Sequence, residues 1–270
     1  MNNDILVYIT AFLDLGRGEW KDFQRSTSRY TEAFLRFVKR FLELRTHEVL
    51  VVFMDKKLMA SVSGLPWYPI DKSVLITPID DEWMVAHSPL WRRLGRERKI
   101  MESKEYRELL KHRLSFPEHN NPKYTLINHA KIDFIHEAMC MMSDHTYFCW
   151  VDFGYCHSEQ VVPKKLVDLE RIDKNKVCYT LINQLDNNDR DLYYTLKHAP
   201  ERIGGFFFIG NRSGLMEYRT LYHLIHGGLQ DINIVDDDQH LALRCYFARP
   251  DLFALYHLGR WHAALEYFGG

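Results

Sequence analysis

Two apolar stretches near the start of the chain decide its fold class: ILVYITAFL (Ile5–Leu13) and EVLVVFMD (Glu48–Asp55). Both are rich in β-branched residues and neither alternates with polar ones, the pattern of strands covered on both faces. Between them Tyr30, Ala33, Phe34, Phe37, Val38, Phe41 and Leu42 recur at i, i+3, i+4, i+7, i+8, i+11 and i+12. That is one face of a helix, with Ser28 placed as its N-cap. Strand, helix, strand is a βαβ unit, for which a right-handed crossover is expected.

The same reading extends outward. A loop over 56–72 holds Gly64, Pro66 and Pro69, and SVLIT (Ser73–Thr77) predicts a third strand. Residues 89–113 are charged and helical in period. Lys123–Asn128 reads as a strand, 130–142 as a helix, and Tyr147–Val151 as an apolar strand that ends on Asp152. Val177–Asn183 and Ile203–Gly210 read as later strands, Ser213–Gly227 and Asp238–Phe247 as helices. The alternation implies an α/β fold, a mixed sheet with helices on both faces. With no repeat and no flexible linker, 1–270 reads as one compact domain.

Composition narrows the function classes. Hydrophobic residues make up 46% of the 270 and charged residues 26%, which suits a globular chain and excludes a disordered one. Lys plus Arg (35) balance Asp plus Glu (36), so no bulk charge draws the chain to nucleic acid or an anionic membrane. Five cysteines without a CxxC pair favour reduced thiols in a cytoplasmic setting. The N-terminal stretch lacks the basic region and cleavage site of a secretory signal, and no apolar run approaches the roughly 18 residues of a membrane span.

In sheets of this kind ligands bind beyond the carboxyl ends of the strands, where Asp55 and Asp152 both fall. Asp152, in YFCWVDFGY (Tyr147–Tyr155), is either an acid that meets a ribose or a divalent cation, or a strand-end turn residue. In VDDDQ (Val235–Gln239) three adjacent carboxylates repel one another, so one can serve as a general base; helix capping explains one or two of them equally well. IGGFFFIGN (Ile203–Asn211) places Gly204 and Gly205 where backbone can approach a ligand closely, or where a turn enters a buried strand, and it lacks dinucleotide-binding spacing. In YHLGRW (Tyr256–Trp261), His257 is a candidate metal or phosphate contact and Trp261 a stacking surface. RRLGRERK (Arg92–Lys99) is a polyanion candidate or a solvated helix face. Trp67, Trp83, Trp91 and Trp150 suit sugar stacking or core, with Trp150 read as core. Metalloprotease, serine-hydrolase and P-loop motifs do not occur.

Several blocks together resemble the HtrL/YibB family of glycosyltransferase-like proteins. They are YITAFLDLGRGEW (Tyr8–Trp20), YTEAF, VVFMD (Val51–Asp55), NHAKIDFIHEAM, YFCWVDFG, GGFFFIG, DDQ (Asp237–Gln239) and PDLFALYHLGRW, in order along most of the chain. The resemblance implies a single GT-A-like, Rossmann-like domain with a mostly parallel sheet, its donor half about 1–155 and its acceptor half about 156–270. It implies transfer of a sugar from a nucleotide-diphosphate sugar, a UDP-sugar foremost, to a glycan hydroxyl, with inversion. Ala11, Phe12, Arg17 and Asp55 would hold base and ribose, Lys131 the diphosphate or base, and Gly204 and Gly205 the sugar and acceptor.

Asp152 would match the first acid of the DxD motif, and Gly154 stands where the second acid belongs. A divalent cation, Mn2+ or Mg2+, would then rest on Asp152 and His257, unless Arg17 and Lys131 carry its charge. Asp238, with Asp237 beside it, would be the base. The expected partners are donor and acceptor, without nucleic acid and without a membrane span. The rival readings are a catalytically silent glycan- or nucleotide-binding protein, a nucleotidyltransferase and a nucleic-acid enzyme.

Overall fold

The computed structural model describes residues 5–64 and 71–270. Seven strands form one sheet: β1 (Leu6–Phe12), β2 (Val49–Asp55), β3 (Val74–Ile79), β4 (Tyr147–Val151), β5 (Val177–Leu181), β6 (Ile203–Asn211) and β7 (Phe253–His257). Their order across the sheet is β3-β2-β1-β4-β6-β5-β7. Neighbours run parallel except at β6, which is antiparallel to both β4 and β5. The sheet is therefore mixed, as the strand pattern predicts, and mostly parallel, as the resemblance implies.

Period-two alternation sorts each strand between two cores. Val7, Ile9, Val51, Phe53, Phe148 and Trp150 pack on one face with the helices Lys131–Met141, Arg212–Asp231 and Asp238–Ala248. Leu6, Tyr8, Leu50, Val52, Met54, Cys149 and Val151 pack on the other. There the helix Thr27–Leu44 buries Ala33, Phe34, Phe37, Val38 and Phe41, the stripe read from the sequence. Each of the three phenylalanines contributes roughly 1.5–3 kcal/mol by leaving water. The cap is Ser26 rather than Ser28: its Oγ accepts the Arg29 N–H at 3.3 Å, and Ser28 already lies inside the helix.

Other boundaries also differ. Lys123–Asn128 is not a strand but part of the helix Pro122–His129. Asn121 caps it by accepting the Tyr124 N–H, and Pro122 occupies the first turn, where a missing N–H costs nothing. The charged stretch 89–113 breaks at Ser103, which caps a second short helix, Lys104–Leu109. Within 56–72, residues 56–63 form helical turns, while Pro66, Trp67 and Pro69 lie outside the described residues. Strand β7 is one the sequence pattern does not predict; it pairs with β5 at the sheet edge. No helix among the described residues is long and apolar enough to cross a membrane.

This topology places a site. From β1 the chain runs outward through β2 and β3 on one side, and β4 lies on the other side of β1. Such a reversal leaves a crevice at the carboxyl ends of the two strands at the switch point. Because β6 is antiparallel, its first residues reach that same rim: Val151 pairs with Phe207, and the Asp152 N–H donates to the Phe206 carbonyl at 3.0 Å.

Candidate functional site

A cleft of about 330 Å3 opens at the β1–β4 switch point. Its floor comes from Ala11 and Phe12 at the end of β1 and from Trp150, Asp152 and Gly154 at the end of β4. Arg17, Trp20, Tyr30 and Tyr124 form an aromatic and cationic wall.

The loop after β1 is tied down by carboxylates. Asp14 accepts the Gly16 N–H at 2.9 Å and the Thr27 hydroxyl at 2.9 Å. Gly16 has φ +70, a left-handed turn that a glycine adopts without strain. Arg17 then reaches back to the Phe23 carbonyl and the Tyr30 hydroxyl, both at 2.9 Å, and lies 5.1 Å from the centre of the Tyr124 ring. Arg17 thus lines the cleft while holding its wall together. Arg25 and Arg29, also on the cleft, are exposed, and neither side chain has a partner among the described residues. Arg25 lies just before the helix Thr27–Leu44 and Arg29 in its first turn, where the helix dipole favours an anion.

At the cleft floor Lys131 joins elements distant in sequence. Its Nζ donates to Asp238 Oδ2 at 2.8 Å and to the Gly205 carbonyl at 2.9 Å, and lies 3.1 Å from Asp152 Oδ1. The same Asp152 oxygen accepts the Trp150 indole N–H at 2.7 Å. Burial works against the Lys131 ammonium, but the two carboxylates outweigh it and hold its pKa above the usual lysine value. Burial dominates at Asp238: one ammonium shared between two acids, with Asp237 adjacent, leaves its pKa raised to about 6.

The three aspartates of VDDDQ part ways. Asp237 caps the helix Asp238–Ala248 by accepting the His240 N–H at 2.7 Å. Asp236 is buried and binds His240 Nδ1 at 2.9 Å. Burial opposes both charges there, yet the pair prevails: Asp236 is held below its usual pKa and His240 is raised to about 9. Asp238 alone faces Lys131.

Of the residues singled out from the sequence, Ala11, Phe12, Arg17, Lys131 and Asp152 line the cleft, and Asp238 stands directly behind Lys131. Asp55 is one step removed: its carboxylate accepts the N–H groups of Asp14 and Lys57, so it shapes the loop after β1. Gly204 and Gly205 are buried in β6 and meet the protein's own side chains. A Cβ on Gly205 would lie 2.6 Å from Asp238 Oδ2, and one on Gly204 would lie 2.5 Å from the Phe206 ring. Asp237 is a helix cap.

His257 ends β7 with its side chain exposed and does not line the cleft. The histidines that do are His157 and His262, with ring centres 4.7 Å apart, and burial pushes His262 down to about 4. Only the positive φ of His262 (56), a backbone feature, sets it apart; no sequence motif marks either. Trp150 is core, as read, and its N–H also serves Asp152. The stretch RRLGRERK lies outside the cleft and packs Arg93 and Arg96 against Gln230.

The donors around Asp152 do not fit a divalent cation. A hard cation wants several oxygen ligands, and here the space between Asp152 and Asp238 holds the Lys131 ammonium. Ligand-capable triads among the described residues fall elsewhere, at Glu97–His129–His226 and at Asp236–Asp237–His240.

The chain is similar to Protein HtrL of Escherichia coli (strain K12), with 28% identity over 262 residues, 93% of this chain and 87% of that protein. The family model HtrL_YibB, described as a bacterial protein of unknown function, matches residues 4–270. By that match across nearly its whole length, the chain belongs to the HtrL_YibB family.

Proposed function

We propose that the protein transfers a sugar from a nucleoside-diphosphate donor to an acceptor hydroxyl, with Lys131 supplying the positive charge that a metal ion provides in related chemistry. The observation that carries this reading is the Asp152–Lys131–Asp238 bridge at the floor of a switch-point cleft whose mouth holds Arg25 and Arg29, which have no side-chain partner among the described residues. The aromatic wall of Trp20, Tyr30 and Tyr124 suits a flat base. The two arginines and the helix N-terminus suit a diphosphate.

In the reaction the acceptor oxygen attacks the anomeric carbon and gives its proton to Asp238. The bond from that carbon to the diphosphate oxygen breaks, and the electron pair leaves with the diphosphate. Lys131 swings from its carboxylates toward that developing charge, which frees Asp238 as base. Fixed charges aimed at a developing charge are commonly the largest catalytic term.

A silent binder of the same fold is favoured by one feature: Asp238 is engaged by Lys131 before any acceptor arrives. Slow hydrolysis of the donor without acceptor separates the two, since the binder releases no free sugar.

The direct test is thermal stability with UDP, GDP and their sugars, with and without Mn2+. A nucleotide at 100 times its Kd stabilises the fold by about 2.7 kcal/mol. The shift is expected without Mn2+ and is expected to shrink in Arg29→Ala and Asp152→Ala. No shift with any nucleotide, or an undiminished shift in both variants, overturns the reading.

A further inference from the structure

We propose that the acceptor is an anionic sugar, held by Lys164, Lys165 and Trp261 in a second cleft that adjoins the first; the assignment to an acceptor rests on the donor reading above. This second cleft, of about 130 Å3, is lined by Val162, Lys164, Lys165, Trp261, His262 and Leu265 among others. His262 lines both clefts and forms the wall between them.

Contacts connect the two spaces. Gly205, whose carbonyl takes the Lys131 ammonium, is followed by Phe206, whose ring centre lies 5.4 Å from Trp261 and 4.9 Å from His262. Trp261 and His262 sit on the turn after β7. Gly259 (φ +70) and His262 (φ +56) are both left-handed there, and His262 has no glycine's freedom. A non-glycine residue in that region costs of order 1–3 kcal/mol, and packing of the His262 ring against Tyr155, His157 and Phe206 holds it. The turn therefore presents a fixed histidine to both clefts and a tryptophan to the second.

The chemistry of the second cleft is that of a charged saccharide site. Trp261 is 36% exposed, with its N–H directed to Glu201 Oε2 at 3.2 Å. A half-exposed indole is a surface for the C–H face of a sugar. Arg260 is paired with Glu266, so those charges cancel. Lys164 and Lys165 are exposed and form no ion pair among the described residues, which leaves two ammonium groups for a carboxylate or a phosphate.

Calorimetric titration of the full chain tests this with four probes: trigalacturonate, mannose 6-phosphate, and their neutral counterparts galactotriose and mannose. UDP is titrated in parallel. At least one anionic probe is expected to bind, at least tenfold tighter than its neutral counterpart. Which one binds tells carboxylate from phosphate. The exposed double variant Lys164→Ala/Lys165→Ala is expected to lose about tenfold in that affinity, the equivalent of 1.4 kcal/mol. Trp261→Ala is expected to weaken it as well, with UDP binding unchanged in both. Equal binding of neutral probes, wild-type affinity in the double variant, or no anionic binding where UDP binds overturns the subsite alone. Lysine-dependent binding of an anionic sugar in a protein that ignores UDP, GDP and their sugars alike keeps the anionic-sugar site and overturns the donor reading instead.

Discussion

Replacing Lys131 by Met tests the bridge on which the site depends. The variant keeps an unbranched side chain close to the length of the lysine stem and removes the ammonium. Three acceptors then lose their donor: Asp238 Oδ2 (2.8 Å), the Gly205 carbonyl (2.9 Å) and Asp152 Oδ1 (3.1 Å). They are not equally exposed to the loss. The Asp152 side chain is 36% accessible and keeps the Trp150 N–H, so water and the indole cover part of it. The Asp238 side chain is 13% accessible and has no other side-chain donor among the described residues. Breaking a buried pair by removing one partner costs about 3–5 kcal/mol. The partial exposure of Asp152 argues for the lower end, about 3 kcal/mol at pH 7.

Protonation then limits the damage, and its sign is fixed. The folded pKa of Asp238, about 6, is raised above the usual carboxylate value, so the folded state holds that proton more tightly than the unfolded state does. Its contribution to stability is present at low pH and is lost as pH rises through about 6. Without Lys131 the pKa rises further, and the variant takes up the proton at a higher pH than the wild type. The deficit is therefore largest at pH 7–8 and smaller near pH 5. At about 2–4 °C per kcal/mol for a chain of this size, melting should fall by roughly 6–12 °C at pH 7. Melts of both proteins by circular dichroism at pH 5, 7 and 8 read this directly. A variant that melts within about 2 °C of wild type at pH 7, or a gap that does not narrow at pH 5, refutes the bridge.

Two further substitutions separate chemistry from architecture. Asp238→Asn should cut turnover by about 10²-fold or more, abolish an acid limb in the rate near pH 6, and leave UDP affinity intact in calorimetry; turnover near wild type removes Asp238 from the role of base. Gly205→Ala places a Cβ 2.6 Å from Asp238 Oδ2 and should destabilise by about 1–3 kcal/mol in urea melts, whereas Gly228→Ala, on an open helix surface with nothing within 4 Å, should stabilise slightly. Equal effects at the two glycines would mean that Asp238 does not pack against β6.

The legible part of this fold was the part governed by local periodicity. The Thr27–Leu44 stripe and the two strands around it follow from apolar spacing alone, because a helix face and a doubly covered strand each leave a direct mark on the sequence. KYTLIN misled for the complementary reason: a six-residue stretch with only Tyr124, Leu126 and Ile127 apolar fits either state, and the signals that decide it, Asn121 and Pro122, lie just outside it. Site residues divide the same way. Asp152 was readable as the acid at the end of an apolar strand. Arg25, Arg29, His157 and His262 were not, because what makes them notable is an unpaired side chain or a shared wall, and both arise from tertiary contacts with no local signature. His257 drew attention through its motif, yet the left-handed turn that follows brings His262 rather than His257 to the cleft.

The run Val235–Gln239 shows how one charge pattern yields three different physical outcomes. Adjacent carboxylates repel, so packing one of them fully and the other two partly into the protein requires that each find its own compensating partner. Asp237 meets a backbone N–H at a helix start, Asp236 a histidine four residues on, and Asp238 the ammonium of Lys131, 107 residues away in sequence. The first two contacts are local and form whether or not a ligand is present. Only the third depends on a partner that a diphosphate could draw away. Such competition would couple the cleft to Asp238: an anion that attracts Lys131 would expose a carboxylate whose pKa burial raises to about 6. The two neighbours are tied to His240, the backbone N–H for Asp237 and the ring for Asp236, and so would hold the helix start in place were Lys131 drawn away.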